Sequence, residues 1–385
     1  MSDSKSVLVL GAGFGGLTVC NELRRRLPPE HRITVIDNKN HFVMGLSKLW
    51  IMDGRRKPGA EGRGDLTKLS AKGISFLNEE ILAIDVRERR VKTKSEELSA
   101  DYIIVALGAH LNPEGIPGFE AAALNLYDLD SVSKVHEKLQ EFKKGKITIL
   151  ISRTPFKCPP APYEAAMLID SLLRNRNLRK NVELSIYTPE PQPMPIAGKE
   201  VGNQIKQLLQ EREIRYFPNH KINQIDAISR NLKFNQGESR FDLLIAVPPH
   251  VAPKVVRDAG LTDESGWIPV DKSTLATKFP NIFAIGDVTA IKLPNAMLLP
   301  KAGVFAEAEG KIVVDEIVGD ILGKKTLSKF DGNGHCFVEV GGGKAAIGSG
   351  GFYETPNPKI TLKAPSSEGL EEKIEFERSR LGEWI

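Results

Sequence analysis

Three cysteines are the residues of this 385-residue chain best suited to nucleophilic or redox chemistry. Cys20 falls among leucines and valines in a helical pattern, where a small buried apolar residue is expected. Cys158 follows an apolar run and precedes prolines at the predicted start of a helix, so the helix N-terminus and the neighbouring Lys157 should depress its pKa. Cys336 lies where a strand is predicted to begin. Taken alone, Cys158 and Cys336 could equally be structural.

A glycine-rich turn near the N-terminus could hold a pyrophosphate. After a short apolar run the chain continues Gly11-Ala12-Gly13-Phe14-Gly15-Gly16, and Asp37 ends the next apolar run. Gly11 permits a tight turn, Gly13 lets the backbone approach a pyrophosphate, and Gly16 allows the following helix to pack closely on the strand. Asp37 is spaced to accept the ribose hydroxyls of an adenosine. The order strand, glycines, helix, strand and acid therefore predicts a dinucleotide site.

Two later segments resemble those of flavoproteins that contain two dinucleotide-binding domains. The segment 101–108 has the strand and glycine, here with Ala106 and Gly108, that close the first half of the FAD domain in that superfamily. The segment 277–287 ends in Gly286-Asp287 and precedes a helical stretch from about 303 to 322, like the second FAD motif, whose aspartate holds the ribityl chain. The three motifs occur in the order of the superfamily, which favours FAD over NAD at the first site.

A second alternating strand–helix set lacks the phosphate loop that NADH-dependent relatives have. The turn after Ile151 contains no glycine and four prolines, Pro155, Pro159, Pro160 and Pro162, before the helix predicted to begin at Tyr163. Proline removes the backbone N–H groups that a pyrophosphate needs. We therefore expect no classical NADH or NADPH site in this domain, and the electrons must come from another donor.

Together the motifs resemble the sulfide:quinone oxidoreductase and flavocytochrome c sulfide dehydrogenase family. The resemblance covers nearly the whole chain, and its most specific part is the pair of cysteines with their neighbours. The matching segments are Gly-Ala-Gly-Phe-Gly-Gly at 11–16, Cys-Pro-Pro-Ala-Pro-Tyr-Glu at 158–164, Gly-Asp at 286–287, Pro-Lys-Ala-Gly at 300–303 and Cys-Phe-Val-Glu at 336–339.

This resemblance implies a redox-active disulfide between Cys158 and Cys336 above the flavin. Hydrosulfide would attack the disulfide, Cys158 would carry the sulfur, Cys336 would face the flavin, and two electrons would pass through FAD to an acceptor. A quinone is favoured over a soluble carrier. FAD should be non-covalent, because no cysteine lies in the loop 40–45 or at 109–110, around the positions where covalent members tether it.

Two charged residues have a functional and a plain interpretation. Glu164, one turn beyond Cys158, could shuttle a proton, or it could be a solvated carboxylate favoured by the helix dipole. Lys301, just before the helix that follows the second FAD motif, could stabilise the reduced flavin, or it could be a surface lysine.

The predicted fold class is α/β, with two Rossmann-like dinucleotide-binding domains, the FAD domain being interrupted by a degenerate NAD-like domain, and a small C-terminal α+β region. We expect residues 1–112 to form the first FAD segment, 113–242 the second Rossmann-like domain, 243–328 the second FAD segment and 329–385 the C-terminal region. The glycine- and proline-rich stretch 110–118 is the predicted linker between the first two.

Composition and charge limit the partners and the location. The net charge of +4 is small for this length, and no dense Lys/Arg tract is present, so a nucleic-acid partner is not expected. Residues 1–6 are polar, no signal peptide or membrane span is predicted, and a cytoplasmic location is expected. The segment 370–385 mixes apolar and charged residues; docking on the protein itself is favoured over a membrane surface at the cytoplasmic face. A homo-oligomer remains open.

Two alternatives to sulfide oxidation remain. A type II NADH:quinone oxidoreductase shares the FAD architecture but needs the glycine-rich NAD loop that residues 151–160 do not provide. A non-catalytic flavoprotein that binds a partner or carries a persulfide is the second alternative.

Overall fold

The computed structural model describes residues 4–57, 59 and 62–385, so residues 1–3 of the polar N-terminal segment lie outside the described residues. It contains two parallel five-stranded sheets, each covered by helices, and a small antiparallel sheet with a long C-terminal helix. The predicted fold class is confirmed by this architecture.

The first segment supplies four of the five strands of the FAD-domain sheet and a three-stranded antiparallel meander of short strands. Its strands and helices are β1 (Ser6–Leu10), α1 (Phe14–Arg26), β2 (Arg32–Ile36), β3 (His41–Val43), α2 (Ser47–Met52), β4 (Arg63–Asp65), β5 (Ser75–Leu77), β6 (Ala83–Asp85), β7 (Arg90–Lys92), β8 (Glu97–Ser99), β9 (Tyr102–Val105) and β10 (His110–Leu111).

The second segment forms the second Rossmann-like domain. Its elements are α3 (Phe119–Ala122), β11 (Leu124–Asn125), α4 (Leu129–Glu141), β12 (Gly145–Ile151), α5 (Ala161–Asn175), β13 (Val182–Tyr187), α6 (Gly198–Gln210), β14 (Arg215–Phe217), β15 (Ile222–Asp226), β16 (Asn231–Phe234), β17 (Gly237–Arg240) and β18 (Leu243–Val247). The sheet order is β11-β18-β12-β13-β14.

One predicted boundary needs correction. Strand β18 pairs in parallel with β12, from Ile147 opposite Leu243 to Ile151 opposite Val247. It therefore belongs to the second sheet, and the chain returns to the FAD domain after β18 rather than at residue 243. The sequence did not distinguish these possibilities because β18 is apolar throughout, as any central strand of a parallel sheet is.

The chain then completes the FAD domain and adds the C-terminal region. The elements are β19 (His250–Val251), α7 (Lys254–Asp258), β20 (Ile268–Pro269), β21 (Ile282–Ala284), β22 (Thr289–Ala290), α8 (Gly303–Ile321), β23 (Asn333–Gly341), β24 (Lys344–Gly351), β25 (Lys359–Leu362) and α9 (Ser367–Trp384). Strand β21 pairs with β9, giving the FAD-domain order β21-β9-β1-β2-β5.

The order of the FAD-domain sheet places its ligand site. Strand β1 lies between β9 and β2, and all three run in parallel. The strand order switches sides at β1, because β2 follows it on one side and β9 is added later on the other. Open α/β sheets bind ligands at the carboxyl ends of strands at such a switch point. Helix α1 begins there at Phe14, within the glycine-rich segment 11–16.

Helix α9 docks on the FAD domain. Phe376 and Trp384 are buried, and both rings contact Phe14, with centroids 6.3 and 5.3 Å away. Ile374 remains 43% exposed. The tail thus packs on the protein's own surface, as the sequence favoured. Within the described residues, no helix has both the length and the apolar character that crossing a membrane requires.

Candidate active site

The glycine turn after β1 has the close contacts predicted for a dinucleotide site. Gly11 has φ +102°, and a Cβ there would lie 2.5 Å from the Ala106 carbonyl oxygen. A Cβ on Gly16 would lie 1.9 Å from the Gly11 carbonyl oxygen. At Gly13, by contrast, none of the described atoms lies within 4 Å of a Cβ position. The turn is therefore closely packed at Gly11 and Gly16, and it is open at Gly13, the residue that should face a pyrophosphate.

Asp37 holds the turn as well as facing it. Its carboxylate accepts the N–H of Ala12 at 2.8 Å and that of Lys39 at 2.9 Å. A carboxylate has lone pairs beyond these two bonds, so it can also accept ribose hydroxyls.

The second FAD motif meets the first at α1. A Cβ on Gly15 would lie 2.7 Å from the Ile285 side chain, and one on Gly303 would lie 2.8 Å from the Phe14 ring. Gly286 has φ +73°, and its N–H donates to Glu309 Oε2 at 2.6 Å. Glu309 thereby fixes the Gly-Asp turn from α8. Sequence reasoning missed this residue, because nothing in the local pattern marks it.

Lys301 is buried, so it is not the surface lysine that the sequence also allowed. Its Nζ donates to the carbonyl oxygens of Asp287 at 2.6 Å and Thr289 at 3.1 Å, and it lies 3.5 Å from the Trp267 ring centroid. Burial lowers the pKa of Lys301 to about 8. Burial also raises the pKa of Asp287, whereas Lys157 and Lys301 act to lower it.

The turn of the second domain reaches the FAD domain through Cys158. The Cys158 N–H donates to the Lys301 carbonyl oxygen at 2.7 Å, and its own carbonyl oxygen accepts the Tyr127 hydroxyl at 3.2 Å. Cys158 has φ +51°, a left-handed conformation that is uncommon for a residue other than glycine. Such local strain is typical of functional sites.

Cys336 lies within β23, the strand that packs against helix α5 just after the Cys158 turn. It pairs with Gly348 of β24, where a Cβ would lie 3.3 Å from the Cys336 sulfur. All three cysteines are free thiols in the structure. Cys158 and Cys336 are near enough that ionised Cys336 would raise the pKa of Cys158. The structure thus packs the helix that follows Cys158 against the strand that contains Cys336, and it buries Cys20 in α1.

The expectation of a depressed pKa at Cys158 is wrong. Cys158 as a whole residue is exposed to water, but protein atoms packed around its thiol disfavour the thiolate and raise its pKa to about 12. Glu164 adds to the shift, whereas Lys373 and the Ala161 amide oppose it without outweighing burial. The pKa of Cys336 is also raised to about 12, first by burial and then by Glu164.

Alkylation kinetics test this correction. In flavin-free protein with Cys158 as the single cysteine (Cys20→Ser, Cys336→Ser), the rate with iodoacetamide should rise about tenfold per pH unit from about pH 8 to pH 10, because only the thiolate reacts. A thiol of ordinary pKa, about 8.5, would level off over this range. A plateau below pH 9 would contradict the raised pKa.

Glu164 is buried. It is therefore not the solvated first-turn carboxylate that the sequence also allowed. Its Oε1 accepts the Lys373 ammonium at 2.6 Å and the Glu339 N–H at 2.8 Å. Burial raises the pKa of Glu164, and the Lys373 charge opposes this rise. Lys373 comes from α9 and was not foreseen from the sequence.

Lys48, Tyr127 and His250 are further residues of the cleft that sequence reasoning missed. Lys48 Nζ donates to the Tyr127 carbonyl oxygen at 2.6 Å, and burial lowers the pKa of Lys48 to about 7. The His250 ring lies edge-on to Tyr127, and burial lowers its pKa to about 3. Among the described residues its Nε2 has no hydrogen-bond partner although it is buried. No motif marks these positions, because they come from three separate segments.

The polar groups and the open backbone positions around Cys158 and the glycine turn fit a flavin dinucleotide. Gly13 and Gly108 are open positions in the backbone, Asp37 stands beside the first, and buried Lys301 and the unpartnered His250 Nε2 supply polar groups near Cys158. A buried polar group without a partner is costly unless a ligand satisfies it.

Two linked dinucleotide-binding domains, with Cys158 of the second hydrogen-bonded to Lys301 of the first, define a flavoprotein oxidoreductase of the two-domain class. Residues 5–151 and 164–316 match the pyridine nucleotide-disulphide oxidoreductase family. The chain belongs to this family and is an FAD-dependent oxidoreductase.

Comparisons with individual proteins agree with this assignment and with the resemblance stated above. The mitochondrial sulfide:quinone oxidoreductase of Mus musculus is 26% identical over 370 residues, covering 92% of this chain and 80% of the mouse protein. A type II NADH:quinone oxidoreductase of Staphylococcus haemolyticus is 24% identical over 353 residues, covering 86% of this chain and 85% of that protein. The X-ray structure of the Aquifex aeolicus sulfide:quinone oxidoreductase matches with a TM-score of 0.89 at 24% identity, covering 99% and 91% of the two chains, and shows the same fold.

Proposed function

We propose that this protein oxidises sulfide through a Cys158–Cys336 disulfide and passes the electrons by way of FAD to a quinone. The observation that carries the proposal has two parts: the turn before α5, which contains Cys158, is hydrogen-bonded to Lys301 beside Asp287 of the second FAD motif, and α5 packs on β23, which contains Cys336. The names of the mouse and Aquifex relatives support the same reaction. A quinone dissolved in lipid would have to be met at a membrane surface, so we propose peripheral contact with the cytoplasmic face.

The sulfur chemistry balances in three steps. Hydrosulfide forms a bond to the Cys158 sulfur as the disulfide breaks, leaving a persulfide on Cys158 and a thiolate on Cys336. A second sulfur nucleophile, hydrosulfide or a thiol, takes the outer sulfur as a persulfide or polysulfide and leaves Cys158 as a thiolate. The two thiolates then lose two electrons and close the disulfide again. FAD supplies the two-electron acceptor for this last step.

The chain's own residues fix the reacting sulfurs. Hydrogen bonds from the Tyr127 hydroxyl and to the Lys301 carbonyl oxygen hold both polar atoms of the Cys158 backbone. Glu164 lies in the first turn of α5, just beyond Cys158, so we assign it the proton that hydrogen sulfide loses when it becomes hydrosulfide. The surrounding protein atoms raise the pKa of both thiols, so the thiols stay neutral until they react, which protects a reduced site from adventitious oxidation.

The choice of electron donor tests the proposal against the NADH-dependent alternative, which the Staphylococcus relative favours. Under anaerobic conditions sulfide should bleach the flavin absorbance at least 100-fold faster than NADH or NADPH at the same concentration. The reason is the glycine-free turn 152–160, which offers a dinucleotide few backbone amides. Fast bleaching by NADH with none by sulfide would assign the protein to the NADH-dependent class, and bleaching by neither would favour the non-catalytic alternative.

We also propose that FAD is held without a covalent bond. Cys20 is fully buried in α1, and Cys158 and Cys336 are needed for sulfur chemistry, so no cysteine is left to tether the flavin. Acid precipitation should therefore release the yellow chromophore into the supernatant. Flavin absorbance that stays with the washed pellet would contradict non-covalent binding.

A further inference from the structure

A buried lysine lies between the two elements that carry the cysteines. Lys373 of α9 is only 1% exposed. Its Nζ lies 2.6 Å from Glu164 Oε1 and 3.0 Å from Glu339 Oε2. One ammonium thus joins two carboxylates that belong to different parts of the chain.

The two carboxylates follow the two cysteines. Glu164 is in the first turn of α5, just after the Cys158 turn, and Glu339 is three residues beyond Cys336 on β23. The Glu339 N–H also donates to Glu164 Oε1 at 2.8 Å, so the carboxylate of α5 is bonded directly to the backbone of β23. Lys373 and Glu164 therefore tie the Cys158 side of the site to the strand that carries Cys336.

Further groups hold Glu339 from the FAD domain. Trp50 Nε1 donates to Glu339 Oε2 at 2.8 Å, and Arg55 lies 2.6 Å from Glu339 Oε1. We call Lys373, Glu164, Glu339, Trp50 and Arg55 the Lys373 cluster. Lys373 bridges the two carboxylates, Arg55 pairs with Glu339 and also with Asp53, and Trp50 satisfies a further lone pair of Glu339.

A disulfide forms only if the two elements that carry its cysteines are held at the right distance. The two Cβ atoms must come to about 3.5–4.5 Å, and deviations strain the bond and make it easier to reduce. Without the Lys373 charge, Glu164 and Glu339 would be like charges facing each other in a buried space, an arrangement that is avoided by protonation or by separation of the groups. Separation would move α5 away from β23.

We propose that Lys373 is a positioning residue that keeps the turn of Cys158 and the strand of Cys336 close enough to close their disulfide. This inference rests on the proposed function. It assigns the C-terminal helix a part in the redox chemistry in addition to its packing on the FAD domain.

The test is the equilibrium between dithiol and disulfide in flavin-loaded protein. Wild type, Lys373→Met, Glu164→Gln and Glu339→Gln are equilibrated in glutathione buffers of known ratio, acid-quenched and titrated for free thiols. Lys373→Met should lower the equilibrium constant for closing the disulfide at least tenfold, about 30 mV for a two-electron couple, and each Gln variant should lower it by less. Lys138→Met removes an exposed ion pair with Glu141 on α4 and should leave the constant unchanged.

The outcomes separate this inference from the proposed function. If wild type shows no disulfide at any glutathione ratio, the proposed function fails and this inference fails with it. If wild type closes its disulfide and Lys373→Met closes it with a constant within twofold, the positioning role alone is overturned. A purely structural role would lower the free energy of unfolding without moving the constant. Should Lys373→Met not fold, unchanged constants in both Gln variants overturn the inference.

Discussion

Serine in place of either Cys158 or Cys336 is expected to slow sulfide-dependent reduction of the flavin on the order of 1,000-fold or more. Serine cannot form the disulfide that accepts hydrosulfide, so each substitution removes the electrophile completely rather than weakening it. Stopped-flow spectroscopy under anaerobic conditions, followed by quinone-dependent turnover, measures the loss. Cys20→Ser is the matched control: it should remain active and lose about 1–3 kcal/mol of unfolding free energy, because it places a hydroxyl at a fully buried position.

The two serine variants should differ in their spectra. Cys158→Ser leaves Cys336, which we assign to the flavin side, and a thiolate there should give a long-wavelength charge-transfer band that Cys336→Ser lacks. Because burial raises the pKa of Cys336 to about 12, the band should grow as the pH is raised. Full sulfide:quinone activity in either variant would exclude the disulfide mechanism.

Features that depend on a short stretch of chain could be predicted from the sequence. Gly11, Gly16 and Gly286 adopt conformations or contacts that only glycine permits, and their spacing along the chain is itself the signal. The strands β1, β2, β9 and β21 are apolar runs bounded by turns, so their existence was equally clear. The domain boundary after β18 could not be predicted, because buried parallel strands of two different sheets have the same apolar composition.

Features that depend on packing between distant segments could not be predicted. Glu164 looks like a solvated first-turn carboxylate until α9 brings Lys373 against it from 209 residues away. Likewise, Lys157 and a helix start predict a reactive thiolate at Cys158, but the pKa is decided by how many protein atoms surround the sulfur. Burial of a charged group is a property of the whole fold, and the local sequence contains no measure of it.

Alanine at Gly16 and alanine at Gly13 should both weaken flavin binding, but only the change at Gly16 should also destabilise the fold. Gly16→Ala should lower the free energy of unfolding by about 3 kcal/mol or more and abolish flavin binding, because the new Cβ would lie 1.9 Å from the Gly11 carbonyl oxygen. That atom belongs to the backbone of the turn, so it cannot move without separating α1 from β1. The clash outweighs the gain of up to about 1 kcal/mol that alanine brings to a helix.

Gly13→Ala is the matched variant, three residues earlier in the same turn. Its backbone has φ −84° and ψ −165°, which alanine adopts without strain, and no described atom lies within 4 Å of the added Cβ. The flavin-free protein should therefore unfold within about 1 kcal/mol of wild type, whereas FAD affinity should fall at least tenfold, because the methyl group occupies the space left for the pyrophosphate. Chemical denaturation of the flavin-free proteins and fluorescence titration with FAD measure the two effects separately. Unchanged FAD affinity in Gly13→Ala would place the pyrophosphate away from this turn, since the substitution alters nothing else there.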